Sequence, residues 1–314
     1  MTLAIIFNGQ GAYYQGMGLD FAQNFSGSHD VFRLAEDVSG YPLRQWILEQ
    51  PELFSQTMYS QVAITATSLA IYQAINNQLP PIAYMGGLSL GEYTALIASG
   101  MMSMKEGLQL VTKRGQLMGQ LCQSLPNIPM RAIIGFSHQD IEDTLQEQNL
   151  IGRVYIANVN TESQVVVSGN DEDLNCLKQA LSQGEKKVLM VPLKVEGPFH
   201  TPWMQDIESD FMKELNQINW KKSKVSVLSN LTGRPHDLEK LPQKMSQHLY
   251  QTTMWHKCMQ YLKNKSVTHV IQIGPGNTLL KFLGKNTQDF QTLLIDKLKD
   301  VDKLQEFIEG IKSI

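Results

Sequence analysis

Ile82-Ala83-Tyr84-Met85-Gly86-Gly87-Leu88-Ser89-Leu90-Gly91-Glu92-Tyr93-Thr94-Ala95-Leu96-Ile97-Ala98-Ser99 begins as an apolar run, turns through glycines around a serine, and resumes with helix-like apolar spacing. Residues 82–85 read as a buried strand and residues 92–99 as a helix. Between them, Gly87-Leu88-Ser89-Leu90-Gly91 matches G-x-S-x-G, the pattern of a sharp strand-to-helix turn that lifts a serine hydroxyl clear of a sheet. The small glycines let a strained backbone and the following helix pack closely. A helix N-terminus adds partial positive charge and free N–H groups at the same spot, which makes the Leu90 amide a natural oxyanion donor. The competing structural reading is a glycine-rich turn in which Ser89 only caps the helix.

Two more segments repeat the pattern. Residues 3–7 lead into Asn8-Gly9-Gln10-Gly11, and residues 270–273 lead into Gly274-Pro275-Gly276. Strand–turn–helix units of this kind build a parallel sheet covered by helices, with the ligand beyond the carboxyl ends of the strands. Gly274-Pro275-Gly276 has neither the lysine nor the spacing of a phosphate loop and reads as a tight turn shaping the cleft. The middle of the chain differs. Residues 130–135 read as a strand, 139–148 as a helix, 154–158 and 164–167 as two strands, 171–181 as a helix and 187–193 as a strand. The order β-α-β-β-α-β is that of a ferredoxin-like unit. The expected fold is therefore α/β: a large α/β-hydrolase-like domain with a parallel sheet, residues 1–126 and 197–314, interrupted by a small ferredoxin-like α+β domain, residues 127–196. The polar stretch 232–244 reads as a surface loop.

With 314 residues, 42% of them hydrophobic and 18% charged, the chain has ample apolar surface for a core, which excludes a disordered chain. A net charge of −3 argues against nucleic acid as a partner. No apolar run approaches the length of a membrane span, and the first residues carry no basic stretch of a secretory signal. Cys122, Cys176 and Cys258 are far apart, form no C-x-x-C pair and support neither a disulfide framework nor a zinc site. Reduced thiols in a cytoplasmic protein, with no metal, are expected. Lys221, Lys222 and Lys224 read as solvated surface, and Met101, Met102 and Met104 as core filler. A serine of ordinary pKa needs a base. Among His29, His138, His200, His236, His248, His256 and His269, His200 has the best context, because it lies where the chain leaves the inserted unit and re-enters the large domain.

Five ordered pieces carry a resemblance over nearly the whole chain: Gly9-Gln10-Gly11 with Gly16-Met17-Gly18; Gly87-Leu88-Ser89-Leu90-Gly91-Glu92; Lys113-Arg114-Gly115-Gln116-Leu117-Met118; Gly197-Pro198-Phe199-His200-Thr201; and Ile273-Gly274-Pro275-Gly276. The turn Asn158-Val159-Asn160 before residues 164–169 fits as well. Together they resemble the malonyl-CoA:acyl carrier protein transacylases of fatty-acid synthesis and the wider acyltransferase family of polyketide synthases. The resemblance implies a ping-pong transfer of malonyl from malonyl-CoA to the phosphopantetheine thiol of an acyl carrier protein. Ser89 would be the acylated nucleophile and His200 its base, oriented by a backbone carbonyl, a part that falls to His248. Gln10 and the Leu90 amide would form the oxyanion hole. Arg114 would grip the malonyl carboxylate, which a guanidinium fork suits; from composition alone Arg114 reads as a solvated charge beside Lys113. Phe199, Leu88 and Asn160 would line the substrate pocket, with Phe199 leaving little room for an extra methyl. Coenzyme A enters as part of the substrate and no cofactor is implied. The protein is expected to be a monomer.

Four places depart from the family pattern. Leu88 stands where His is common, Asn8 where Pro is usual, and Tyr13-Tyr14 where a Gln is usual. In His248-Leu249-Tyr250-Gln251-Thr252, His248 replaces a glutamine and Thr252 a proline. These departures motivate a second reading, a trans-acting polyketide acyltransferase or an acyl hydrolase acting on carrier-bound chains. A third is a non-catalytic protein that docks carrier domains on a transferase scaffold.

Overall fold

The computed structural model describes residues 2–184, 186–283 and 289–312. Residues 1, 185, 284–288 and 313–314 of the ranges assigned above lie outside the described residues. The first part of the chain runs β1 (Leu3–Phe7), α1 (Leu19–Asn24), α2 (Ser26–Ser39), α3 (Leu43–Glu49), α4 (Thr57–Ile75), β2 (Ile82–Gly87), α5 (Leu90–Ala98) and α6 (Met104–Ser124). The middle runs β3 (Met130–Ile134), α7 (His138–Glu147), β4 (Val154–Thr161), β5 (Gln164–Gly169), α8 (Asp171–Leu181) and β6 (Leu189–Pro192). The last part holds α9 (Glu208–Leu215), β7 (Ser226–Val227), α10 (Leu241–Gln247), α11 (Trp255–Asn264), β8 (His269–Ile273), α12 (Thr278–Leu283), β9 (Gln291–Ile295) and α13 (Asp302–Lys312).

Five strands form a parallel sheet in the order β7-β2-β1-β8-β9. The sheet is α/β in kind, as expected from the glycine turns. Every residue of β1 and β8 is buried, the mark of central parallel strands covered on both faces. Alternation divides β1 between two clusters. Leu3, Ile5 and Phe7 face the main core, whereas Ala4 and Ile6 pack with Trp255, Leu262 and Leu279. In α4, residues 60–71 are buried on all sides, so this helix runs through the core rather than along a surface. The register pairs Phe7 with both Gly87 and Ile273, so β1, β2 and β8 end level and their three turns meet at one edge. There Asn8 Nδ2 donates to the Pro275 carbonyl at 2.6 Å, and the Leu88 N–H to the Phe7 carbonyl at 3.2 Å.

The second sheet is antiparallel, in the order β4-β5-β3-β6. On one face Ile133, Val165 and Val167 pack with Ile141 and Leu145 of α7 and Leu174 and Leu177 of α8. On the other, Ala132, Ala157 and Val166 join the main core. The edge strand β4 is tied to the segment after α10: the Thr253 N–H donates to the Ala157 carbonyl at 2.9 Å, and the Val159 N–H to the Thr253 carbonyl at 2.8 Å.

The stretch 232–244 is not one loop. It contains a short 3-10 turn, Leu238–Lys240, and the start of α10. Pro242 in the first turn suits a helix start, and Leu241 and Met245, four residues apart, are both fully buried. The polar letters around that apolar pair masked it. Met101 and Met102 are buried, as expected of core filler. Among the described residues no helix is long and apolar enough to cross a membrane.

Candidate active site

The turn between β2 and α5 has the strained geometry that its sequence demands. Ser89 takes φ 51°, ψ −100°, a positive φ unusual for a residue with a side chain. A Cβ on Gly91 would run into the Phe7 carbonyl, and one on Gly87 into the Gly91 backbone, so only glycine allows α5 to start this close to β1. Asn230, just after β7, clamps the turn. Its Oδ1 accepts the Ser89 N–H at 2.8 Å and its Nδ2 donates to the Gly87 carbonyl at 2.8 Å. The Leu90 amide, first in α5, has no acceptor within its own helix.

His200 reaches this hydroxyl from 111 residues away, its Nε2 2.7 Å from Ser89 Oγ. Its Nδ1 lies 2.7 Å from the His248 carbonyl. A carbonyl only accepts, so Nδ1 carries the proton and Nε2 is left to accept from the serine. His200 is itself held at φ 62°, its N–H on the Leu249 carbonyl at 3.1 Å. Burial, the His248 ring and the Arg114 guanidinium hold its pKa well below the ordinary imidazole range, so the ring is neutral and ready to accept a proton. None of the other six histidines touches Ser89. For example, His29 meets Arg44, His138 meets Glu142, and His269 meets Gln291.

Arg114 is not a solvated charge. Only 1% of it is exposed. Nη2 donates to Ser89 Oγ at 3.2 Å and Nη1 to Gln61 Oε1 at 2.8 Å, and Cζ lies 4.9 Å from the Tyr93 ring centroid. Among the described residues it forms no ion pair with any carboxylate. Burial lowers its pKa, opposed by the Tyr93 hydroxyl and Glu92. A buried guanidinium with no anion is costly, and its position leaves room in the charge balance for an anionic guest.

Gln10 follows Gly9, which lies close against the Leu88 carbonyl, and its Nε2 donates to Thr57 Oγ1 at 2.8 Å, while the Thr57 N–H donates to Glu196 Oε2. Thr57 thereby links the Gln10 turn to the segment preceding Gly197-Pro198-Phe199-His200. Phe199 is buried in the main core, and Leu88 is half-buried against the Ala4 and Ile6 cluster. Asn160 is buried, with no partner for Oδ1. It lines a cavity of about 870 Å³ with His256, Met259 and Lys263, and Ser89, His200 and Arg114 are not among the residues around that cavity.

The sequence from residue 4 to residue 296 matches the model of the acyl transferase domain family. The chain belongs to that family. This acyl transferase is similar to the polyketide biosynthesis malonyl CoA-acyl carrier protein transacylase BaeC of Bacillus velezensis, 32% identical over 281 residues, which cover 88% of this chain and 94% of the relative. Its structure is similar to the crystal structure of MCAT from Streptococcus pneumoniae, with a TM-score of 0.91 and 30% identity over 97% of this chain and 99% of that one. It is also similar to PlMCAT in the complex PlMCAT:AntF, described as a type II PKS acyl-carrier protein in complex with its malonyl-transacylase, with a TM-score of 0.88 and 26% identity over 96% and 98% of the two chains.

Sequence reasoning did not single out Asn230, Gln61, Glu92 or His236 as parts of this acyl transferase site. Asn230 lies in Ser229-Asn230-Leu231 and carries no motif. Glu92 had a signal, as the residue that closes the serine motif and starts the helix.

Proposed function

We propose that this chain transfers malonyl from malonyl-CoA to the phosphopantetheine thiol of an acyl carrier protein through a seryl ester. One observation carries the reading: a buried guanidinium without a carboxylate partner lies 3.2 Å from a serine hydroxyl that is itself 2.7 Å from an imidazole. The names of the similar proteins, and the carrier protein in one of the similar structures, support it.

In this mechanism the Ser89 Oγ attacks the thioester carbonyl while His200 Nε2 takes its proton. The developing oxyanion is held by the Leu90 amide and by Gln10. Because the Gln10 side chain is engaged with Thr57, its contribution is assigned to the backbone N–H. The imidazolium then protonates the departing coenzyme A thiolate. Malonyl remains esterified to Ser89 with its carboxylate on Arg114, and the carrier thiol attacks after His200 removes its proton. Phe199, next to His200, narrows the pocket against a methyl branch, with Leu88 adjoining Ser89; Asn160, which lines the cavity with His256, is left out of that wall. The His248 carbonyl orients the base. No resident cofactor enters the scheme.

We read residues 1–126 with 197–314 as a large α/β-hydrolase-like domain and residues 127–196 as a ferredoxin-like insert, a division supported by the strand order β4-β5-β3-β6. A cytoplasmic monomer is the accompanying expectation. The test is intact-mass analysis after incubation with malonyl-, methylmalonyl- and acetyl-CoA. Wild type is expected to take up malonyl and Ser89→Ala nothing; an adduct persisting in Ser89→Ala would overturn the assignment. The similarity to a polyketide-pathway transacylase favours a second reading, service to a polyketide carrier. Comparing transfer to fatty-acid and polyketide carriers, with free malonate as the hydrolytic product, separates that reading and the hydrolase.

A further inference from the structure

His200 has no carboxylate directly behind it, since its Nδ1 meets a carbonyl. Behind that carbonyl, the His248 ring stacks on the His200 ring with centroids 4.7 Å apart and planes at 27°. On the next layer lies Glu92, 1% exposed. Its Oε2 is 3.0 Å from His248 Nδ1, and its Oε1 is 2.6 Å from His236 Nε2. Oε1 also accepts the Asn230 N–H at 3.2 Å, and Asn230 is the residue that clamps the Ser89 turn. One carboxylate thus touches the supports of both the nucleophile and the base. The titratable and charged groups facing it are His236 from the segment after β7, His248 at the end of α10, Cys258 from α11, Tyr93 from α5 and Arg114 from α6. Among the described residues no such cluster has the geometry to hold a metal ion.

Building on the acyl-transfer reading, we infer that Glu92 is the counter-charge of the serine–histidine pair, a positioning residue that holds the stacked His248 and whose charge supports the His200 imidazolium. During acylation the proton of Ser89 Oγ moves to His200 Nε2 as the new ester bond forms. The ring becomes a cation in a site that already holds Arg114. Glu92 takes no proton in that step; its negative charge offsets the second cation. Burial pushes the Glu92 pKa up, but His248 and His236 outweigh it and hold the carboxyl below its usual range, so it stays ionised at neutral pH.

The experiment measures two rates at Ser89 against pH: labelling by a fluorophosphonate, which reads nucleophilicity whatever the substrate, and acylation by malonyl-CoA. Glu92→Gln removes the charge and keeps the shape. The labelling rate at neutral pH is expected to fall roughly 10- to 100-fold, the scale of one charge about 6–12 Å away at an effective dielectric near 20. The acid limb moves to lower pH, because an imidazolium without its counter-charge loses its proton more readily. Glu92→Asp keeps the charge and is expected to keep the acid limb in place at a reduced rate. A uniform loss of rate in Glu92→Gln with an unmoved acid limb, or an acid limb that shifts in Glu92→Asp, overturns the inference. If Glu92→Gln does not fold, Glu92→Asp decides it alone. Absence of malonyl acylation in wild type, with labelling and its shift intact, counts against the substrate reading and leaves this inference standing.

Discussion

In the proposed reaction a single side chain, Arg114, would set specificity. A guanidinium in water costs little, but this one is buried on α6 with only neutral partners, the Gln61 carbonyl oxygen, the Ser89 hydroxyl and the Tyr93 ring face. A malonyl carboxylate would complete its charge balance, whereas an acetyl group would not. Arg114→Ala is therefore expected to slow acylation by malonyl-CoA on the order of 100- to 1,000-fold, the equivalent of about 3–4 kcal/mol for a lost buried charge contact, with acetyl-CoA unaffected or improved. Comparing kcat/KM for the two thioesters checks this; an unchanged malonyl preference refutes the clamp. Because Arg114 forms no ion pair with a carboxylate among the described residues, the variant breaks none and should remain folded. The sequence placed Arg114 in a motif but could not show its burial. That burial depends on α4, whose Gln61 lies 53 positions earlier.

The unit β2–turn–α5 accounts for the nucleophile. Apolar residues build the strand, glycines allow the turn, and α5 begins directly against the end of β1. The strand, the turn and the helix were readable from residues 82–99, because the interactions that form them are local and the turn chemistry is specific; the contact with β1 was not. Nor was the clamp. Asn230 holds the turn from 141 residues away, three positions after a two-residue strand with no periodicity to announce it. The packing yields a sharp expectation for Gly91→Ala. The added methyl meets the Phe7 and Asn8 carbonyls, which are backbone and cannot swing aside. The helix must then shift, with a loss of about 1–3 kcal/mol of stability and a misplaced hydroxyl. Thermal melting together with the acylation rate tests it; a variant as stable and active as wild type would show that α5 has slack at this end. The segment after α10 acts in a similar way on the base. Thr252 Oγ1 donates to the Ile156 carbonyl at 2.6 Å and Thr253 pairs with β4, which anchors the stretch that presents the His248 carbonyl. The threonine found where the family has proline thus makes a hydrogen bond that proline could not.

Over the whole molecule, the two sheets bring these pieces to one place, and the burial that creates the site also sets how stability responds to acid. Burial is the first cause of the lowered pKa values of His200, His256 and His269. A histidine with a lowered native pKa binds fewer protons when folded than when unfolded. Its contribution is therefore fully present above the unfolded value of about 6.5, and is lost as pH falls below it. Each group that must take up a proton on unfolding contributes a slope of roughly 1.4 kcal/mol per pH unit in that window. The melting temperature is expected to fall between pH 7.5 and pH 5.5, less steeply in His200→Gln; an equal slope in the two proteins would show that His200 is not the main contributor. Taken alone, the amino-acid sequence was enough for the parallel sheet with its glycine turns, the order of the middle strands and helices, and Ser89, because periodicity and turn residues act over a few neighbours. His200 was picked out by its context and by the family resemblance, not by local pattern. That it meets Ser89, that Arg114 is dry, and that Glu92 and Asn230 stand behind the pair follow from contacts across 53 to 141 residues, and separations of that length leave no trace in local pattern until the chain has folded.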